Sequence, residues 1–138
     1  MIFVGRILTI TAVLLIFVAY SLFIPTSLST PLIADYIKNH FVREIIFGLT
    51  LAILAICSVI RAKSPSDLRQ TALLGSLVVL PFWVAWAFGW STGGIEDVWG
   101  DKVTSNGAYT LHIPQVLLFY SGLVTMFVCL RNASTDSQ

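Results

Sequence analysis

A twenty-residue stretch, Thr71–Trp90 (TALLGSLVVLPFWVAWAFGW), constrains the fold more than any other, because it contains no charged side chain. A helix of this length, rising ~1.5 Å per residue, is ~30 Å long, which is about the thickness of the hydrocarbon core of a bilayer. Pro81 removes one backbone hydrogen bond and so predicts a kink near the middle of the helix. The stretch therefore predicts a transmembrane helix.

The composition of the whole chain agrees with that prediction. Of its 138 residues, 57% are hydrophobic and only 11% are charged, whereas a soluble domain has roughly 25% charged residues. The formal net charge of +1 offers no basic surface for nucleic acid. We therefore expect a polytopic membrane protein whose partners are the lipid bilayer and other membrane-protein subunits, or a second copy of itself, and not nucleic acid.

Three further apolar runs predict that the chain is a single all-α domain, an antiparallel bundle of four transmembrane helices. Pro25 is expected to end the first span, and the amphipathic segment 31–44 is expected to lie in the interface or lead into the second. Ser64, Pro65 and Asp67 have the order of a helix N-cap, a first helical residue and a capping-box acid. The predicted spans are about 5–24, 43–61, 69–90 and 113–131, with outer loops at 25–42 and 91–112.

The second outer loop contains a turn signal. Asn106-Gly107 is the dipeptide preferred in a type I′ hairpin turn, and it is flanked by residues 102–105 and 108–112. We therefore predict a small extracytoplasmic β-hairpin flap that packs on the helix ends.

The lysines and arginines are divided unequally between the two predicted sides of the membrane. The side with the termini carries five, Arg6, Arg61, Lys63, Arg69 and Arg131, and the other side carries three, Lys38, Arg43 and Lys102. The excess of positive charge predicts cytoplasmic N- and C-termini. Short loops and the absence of a targeting sequence favour a bacterial inner membrane.

Three tryptophans of the third span form an aromatic stripe. Trp83, Trp86 and Trp90 are spaced three and four residues apart, so their indoles lie on one helical face. One interpretation is helix packing together with an interfacial aromatic belt. The other is a cavity at the Pro81 kink that binds a lipid, quinone or sterol-like ligand.

A few polar groups on the predicted outer side could carry chemistry. His40 and Glu44 lie four residues apart on one helix, and His112 enters the last span from the same side. They are candidate catalytic residues as an acid/base pair. Together with Glu96, Asp97 and Asp101 of the loop between, the two histidines could instead bind a divalent metal. No motif ties them together, so the simpler interpretation is a set of interfacial residues without metal or cofactor.

The second span carries a strip of small residues, Gly48, Ala52 and Ala55, at helical spacing. In lipid such a strip lets two helices approach closely, so we expect a lipid-facing contact surface. The proline-ended first span, the segment NHFVREIIFGLTLAILAI (Asn39–Ile56) and the segment SDLRQTALL (Ser66–Leu74) resemble the DoxX-like group of small four-helix membrane proteins. The resemblance implies an accessory role and transfers no catalytic residue.

These observations leave three hypotheses open. The first is a non-enzymatic accessory subunit or assembly partner of a membrane complex. The second is a binding protein for a lipophilic ligand in the tryptophan-lined cavity, and the third is a membrane enzyme with an outer-face His/Glu site. Since no ionisable side chain lies near the centre of a span, a proton-coupled exporter is disfavoured.

Overall fold

The computed structural model describes residues 1–29, 35–81, 83, 84, 87 and 103–135. These residues are arranged as an all-α fold, and no strand occurs among them. The bounds of the helices are α1, Ile2–Ser29; α2, Asp35–Arg61; α3, Asp67–Val79; and α4, Val103–Thr135.

The helices pack as a ring of four. α1 makes its most extensive contacts with α4, α2 packs on α3, and the ring is completed by the contacts between α1 and α2 and between α3 and α4. α2 and α4 therefore occupy diagonal corners. Buried side chains from all four helices fill the centre, and they include Val13, Ala55, Val79 and Phe119.

Within the described part of the chain, two helices have the length and composition to cross a membrane, over Lys38–Arg61 and Leu111–Thr135, and Ile2–Val18 is a shorter apolar helix. The second predicted span and residues 35–44 of the segment leading into it form one continuous helix, since α2 begins at Asp35; residues 31–34 of that segment lie outside the described residues. α1 passes through Pro25, so the prediction that this proline ends the helix is wrong. A helix tolerates proline where its surroundings satisfy the freed carbonyl.

The predicted β-hairpin is also wrong for the residues that the structure describes. α4 begins at Val103 and runs without interruption through Asn106-Gly107 and Pro114. Its 33 residues make helix extension cooperative, since each added residue gains a hydrogen bond. That gain outweighs the local preference of Asn-Gly for a turn.

The turn between α2 and α3 has the predicted capping geometry. The backbone N–H of Ser64 donates to Asp67 Oδ2 at 2.9 Å, and the N–H of Asp67 donates to Ser64 Oγ at 3.3 Å. The N–H of Lys63 also donates to Asp67 Oδ2, at 2.8 Å. These bonds have the reciprocal capping-box pattern predicted for Ser64 and Asp67. The predicted start of the helix is wrong, because α3 begins at Asp67 with Ser66 as its N-cap residue, so Pro65 is not the first helical residue.

The helix is interrupted just before Pro81, where the sequence predicts a kink within a continuous span. α3 ends at Val79, and Leu80 donates its N–H to Ser76 O at 2.9 Å. Val84 then donates to Leu80 O at 3.0 Å, so a helical turn resumes beyond the proline.

Candidate functional site

The first candidate pair, His40 and Glu44, lies on the outer surface of α2. His40 Nε2 and Glu44 Oε1 are 3.3 Å apart, and the two side chains are 69% and 60% exposed. The predicted placement on one helical face is confirmed. An exposed pair of this kind adds little to stability.

The third candidate residue, His112, contacts a buried amide. His112 Nδ1 lies 3.0 Å from the side-chain oxygen of Gln115, one turn along α4. Gln115 is 2% exposed, and among the described residues its Nε2 has no hydrogen-bond partner. A buried amide donor without an acceptor is costly, so this position favours an added group, such as a ligand carbonyl or a water.

The two candidate histidines lie on helices that are not neighbours in the ring. His40 and Glu44 belong to α2, whereas His112 belongs to α4, the helix at the diagonal corner of the ring. Among the described residues, no group of three or more histidine, cysteine or acidic side chains is placed to hold a metal ion. The geometry therefore gives two separate polar pairs on different helices.

Only part of the predicted aromatic stripe falls within the described residues. Trp83 is half-buried and Pro81 is exposed, just beyond the break at Leu80. Trp86 and Trp90 lie outside the described residues. The cavity predicted around the three indoles stays a prediction.

The small-residue strip of α2 faces the inside of the bundle. Ala52 and Ala55 have no exposed surface and belong to the central core, and Gly48 at the outer end of the strip is half-buried. The expected lipid-facing placement is therefore wrong for the two alanines. Their contacts are used within the chain, so a partner helix would have to dock elsewhere.

A close helix crossing that the sequence analysis missed joins α1 to α4. A Cβ added to Gly122 would lie 2.8 Å from the carbonyl oxygen of Gly5 and 2.8 Å from the backbone nitrogen of Thr9. Thr9 is itself buried and donates its hydroxyl to Gly5 O at 2.8 Å. The spacing of Gly5 and Thr9, two small residues four apart, was the available signal for this contact.

A second glycine makes room for the largest side chain of the core. The ring of Phe119, which is fully buried, lies where a Cβ on Gly75 would be. Phe119 also makes an edge-on contact with Tyr120, at a centroid distance of 5.1 Å. The Tyr120 hydroxyl lies 3.1 Å from Ser76 Oγ, which adds a polar contact between α3 and α4.

Beside these contacts, residues of α3 and α4 line an open groove of about 430 Å³. Its sides are mostly apolar, and Arg69 lies at the end where α3 begins. The volume is within the range of about 300–1,000 Å³ seen for small-molecule sites. The apolar lining residues are Leu68, Ala72, Leu123, Val124 and Phe127.

Comparison of the chain with protein-family models, with curated proteins and with solved structures gave no match.

Proposed function

We propose that the chain is an integral membrane protein of four spans and acts as a non-enzymatic accessory subunit or assembly partner of a membrane complex. The observation that carries the proposal is the distribution of polarity. Each helix turns a large apolar side chain outward, and buried polar side chains face inward. The outward examples are Phe3, Phe47, Leu73 and Leu117, each more than 60% exposed, and the inward ones are Thr9, Thr71 and Gln115.

An outer surface of this kind would aggregate in water, whereas lipid or another membrane helix covers it without cost. The basic residues support an orientation. Arg6, Arg61, Arg69 and Arg131 lie at the starts of α1 and α3 and at the ends of α2 and α4, hence at one end of the antiparallel ring. We assign that end, and both termini, to the cytoplasmic face of a bacterial inner membrane.

Cysteine labelling in intact cells tests the orientation. Cys57 and Cys129 are first replaced by alanine, and then Lys63→Cys or Asn39→Cys is introduced, one at each end of α2. An impermeant maleimide should label the Asn39→Cys variant in intact spheroplasts and the Lys63→Cys variant only after permeabilisation. The reverse pattern would overturn the orientation, and extraction of the protein by alkaline carbonate would overturn membrane insertion.

The accessory role is tested by locating a partner on the outward faces. A photo-cross-linking residue is placed at Phe47, Leu73 or Leu117, and the same residue at the buried Val13 serves as the control. We expect at least one outward position, and not Val13, to cross-link to a larger membrane protein, and native mass spectrometry of gently extracted membranes should show the same complex. Cross-links to lipid alone would contradict the accessory role, and cross-links to a second copy would identify a homo-oligomer.

A second candidate function is binding of a lipophilic ligand, and Gln115 is the observation that favours it. Its Nε2, which has no acceptor among the described residues, is buried inside the bundle, where the carbonyl of a quinone or lipid would accept its hydrogen bond. The resemblance to DoxX-like proteins, some of which assist membrane oxidoreductases, is compatible with either function. Under ligand binding, Trp83→Ala should reduce ligand retention and His40→Ala should not, whereas an enzyme acting through His40 would respond in the opposite way.

A further inference from the structure

The groove between α3 and α4 is placed and shaped for a lipid. Its floor is formed by Leu68 and Leu123, which are nearly buried, and its rim by Val124 and Phe127, which are 62% and 44% exposed. Ala72 leaves space in the wall formed by α3 because its side chain is a single methyl group. An apolar groove on the outer surface of a membrane helix bundle fits an acyl chain better than a compact polar ligand.

The charge at one end of the groove indicates which headgroup fits. Arg69 is exposed and lines the groove at the start of α3. A guanidinium group binds a phosphate through two parallel hydrogen bonds. The nearest acid in the sequence, Asp67, already accepts hydrogen bonds from the backbone N–H groups of Lys63 and Ser64, so the turn occupies its carboxylate.

We propose that the α3–α4 groove binds one anionic phospholipid, with an acyl chain along the apolar floor and the headgroup phosphate against Arg69. This inference rests on the proposed membrane insertion and the cytoplasmic placement of the basic end. The cytoplasmic leaflet is the one that presents anionic headgroups to a basic membrane protein. The same lipid would cover the seam between α3 and α4.

The test uses the full chain reconstituted in vesicles of equal parts phosphatidylglycerol and phosphatidylethanolamine, followed by native mass spectrometry after mild extraction. We expect one retained phospholipid per chain, with phosphatidylglycerol enriched roughly fivefold over phosphatidylethanolamine. Arg69→Gln should abolish the enrichment while a lipid is still retained. Val124→Trp should fill the groove and reduce retention of both lipids.

Matched variants separate the groove from general effects of charge and bulk. Arg131→Gln removes a cation from the same end without touching the groove, and Leu117→Trp adds an indole to the outer face of α4 outside it. Both should retain phosphatidylglycerol as the wild type does. Since Arg69, Val124, Arg131 and Leu117 are all exposed, the four variants should keep the fold, which circular dichroism verifies.

Three results would overturn the lipid site. Equal retention of the two lipids by the wild type would show that the groove has no headgroup preference. An equal loss of phosphatidylglycerol enrichment in the Arg131→Gln and Arg69→Gln variants would show that the preference comes from general surface charge. A photo-cross-linker at Val124 that captures a protein instead of a lipid would assign the groove to a partner helix. Failure of the chain to stay in carbonate-washed membranes would instead reject the proposed function, so the two failures are distinguishable.

Discussion

The guanidinium group of Arg6, on the second turn of α1, donates a hydrogen bond of 2.7 Å to the backbone carbonyl of Ala62, the residue that follows α2. The carbonyls of the last turn of a helix lack partners within the helix, and they form the negative end of its dipole. A positive charge is therefore favourable there. Because Ala62 is fully buried, water cannot easily replace the arginine.

We expect Arg6→Gln to lower the free energy of unfolding by about 1.5–3 kcal/mol, the range for a hydrogen bond to a charged group. Arg6→Lys should retain part of the effect, and Arg131→Gln, at an exposed cation, should change it by less than about 0.5 kcal/mol. Unfolding in mixed micelles with increasing dodecyl sulfate measures all three. Equal loss in the Arg6→Gln and Arg131→Gln variants would show that the contact with Ala62 contributes nothing specific.

The close crossing of α1 and α4 predicts that replacing a helical glycine with alanine lowers the stability of the fold, which is the opposite of the usual effect. Gly→Ala in a helix is ordinarily stabilising by about 0.5–1 kcal/mol. At Gly122 the new methyl group would meet backbone atoms of Gly5 and Thr9, so the helices must separate, at a cost of about 1–3 kcal/mol. Gly122→Ala should therefore destabilise the fold, while Ser121→Ala, at the exposed neighbour, should be nearly neutral. A stabilised Gly122→Ala variant would mean that the helices lie farther apart than the structure places them.

The contact between Gly75 and Phe119 predicts coupling between two substitutions. Gly75→Ala alone should destabilise the fold by about 1–3 kcal/mol because its methyl group would overlap the buried ring. Phe119→Leu alone should also destabilise it, by loss of packing. Together they should cost less than the sum, since the smaller side chain makes room for the methyl group. The double-mutant cycle measures this coupling, and strict additivity would contradict the contact.

The capping box predicts a dependence of stability on acid. The backbone N–H of Lys63, then the side chain and backbone of Ser64, stabilise the ionised carboxylate and hold the pKa of Asp67 below its usual value. A carboxyl group whose pKa is lower in the folded state contributes stability above its unfolded pKa of about 3.9, and this is lost as the pH falls through the folded pKa. The unfolding temperature of the wild type should decrease as the pH falls through that acidic window, and in the Asp67→Asn variant it should decrease less steeply. An unchanged slope in Asp67→Asn would assign the acid sensitivity to other carboxyl groups.

What the sequence could predict was mostly local. The reciprocal bonds between Ser64 and Asp67 and the pairing of His40 with Glu44 depend on residues within one or two helical turns, and the structure confirms both. At Pro81 the sequence predicted a disturbance of the helix at the right place, but as a kink rather than as the end of α3. The prediction of a turn at Asn106-Gly107 was wrong because placing a glycine inside a helix costs only about 1 kcal/mol, and the rest of a long helix outweighs that cost.

Contacts between distant segments were beyond that local pattern. Thr9 of α1 contacts Met126 of α4 although the two are 117 residues apart in the sequence. The Thr9 hydroxyl lies 3.9 Å from the Met126 sulfur. Several small-residue strips have the same spacing, so periodicity alone could not decide which of them faces a neighbour. Ala52 and Ala55 turned out to face inward, and the groove beside Arg69 is lined by residues of both α3 and α4.

The buried amide of Gln115 gives two expectations of opposite direction. In protein purified without ligand, Gln115→Leu should leave stability unchanged or raise it by up to about 1 kcal/mol, because it removes a buried donor that has no acceptor among the described residues but also removes the contact of Oε1 with His112 Nδ1. In protein extracted gently with its native lipids, the same variant should lose any bound lipophilic ligand that accepts the Nε2 hydrogen bond. Thermal unfolding measures the first effect and native mass spectrometry the second, with Ser121→Ala as a control on the same helix. His112→Ala removes the contact with Gln115 Oε1 and leaves Nε2 in place. If Gln115→Leu destabilises the ligand-free protein by more than about 1 kcal/mol beyond the effect of His112→Ala, Nε2 has a structural partner and the ligand-binding candidate loses its support.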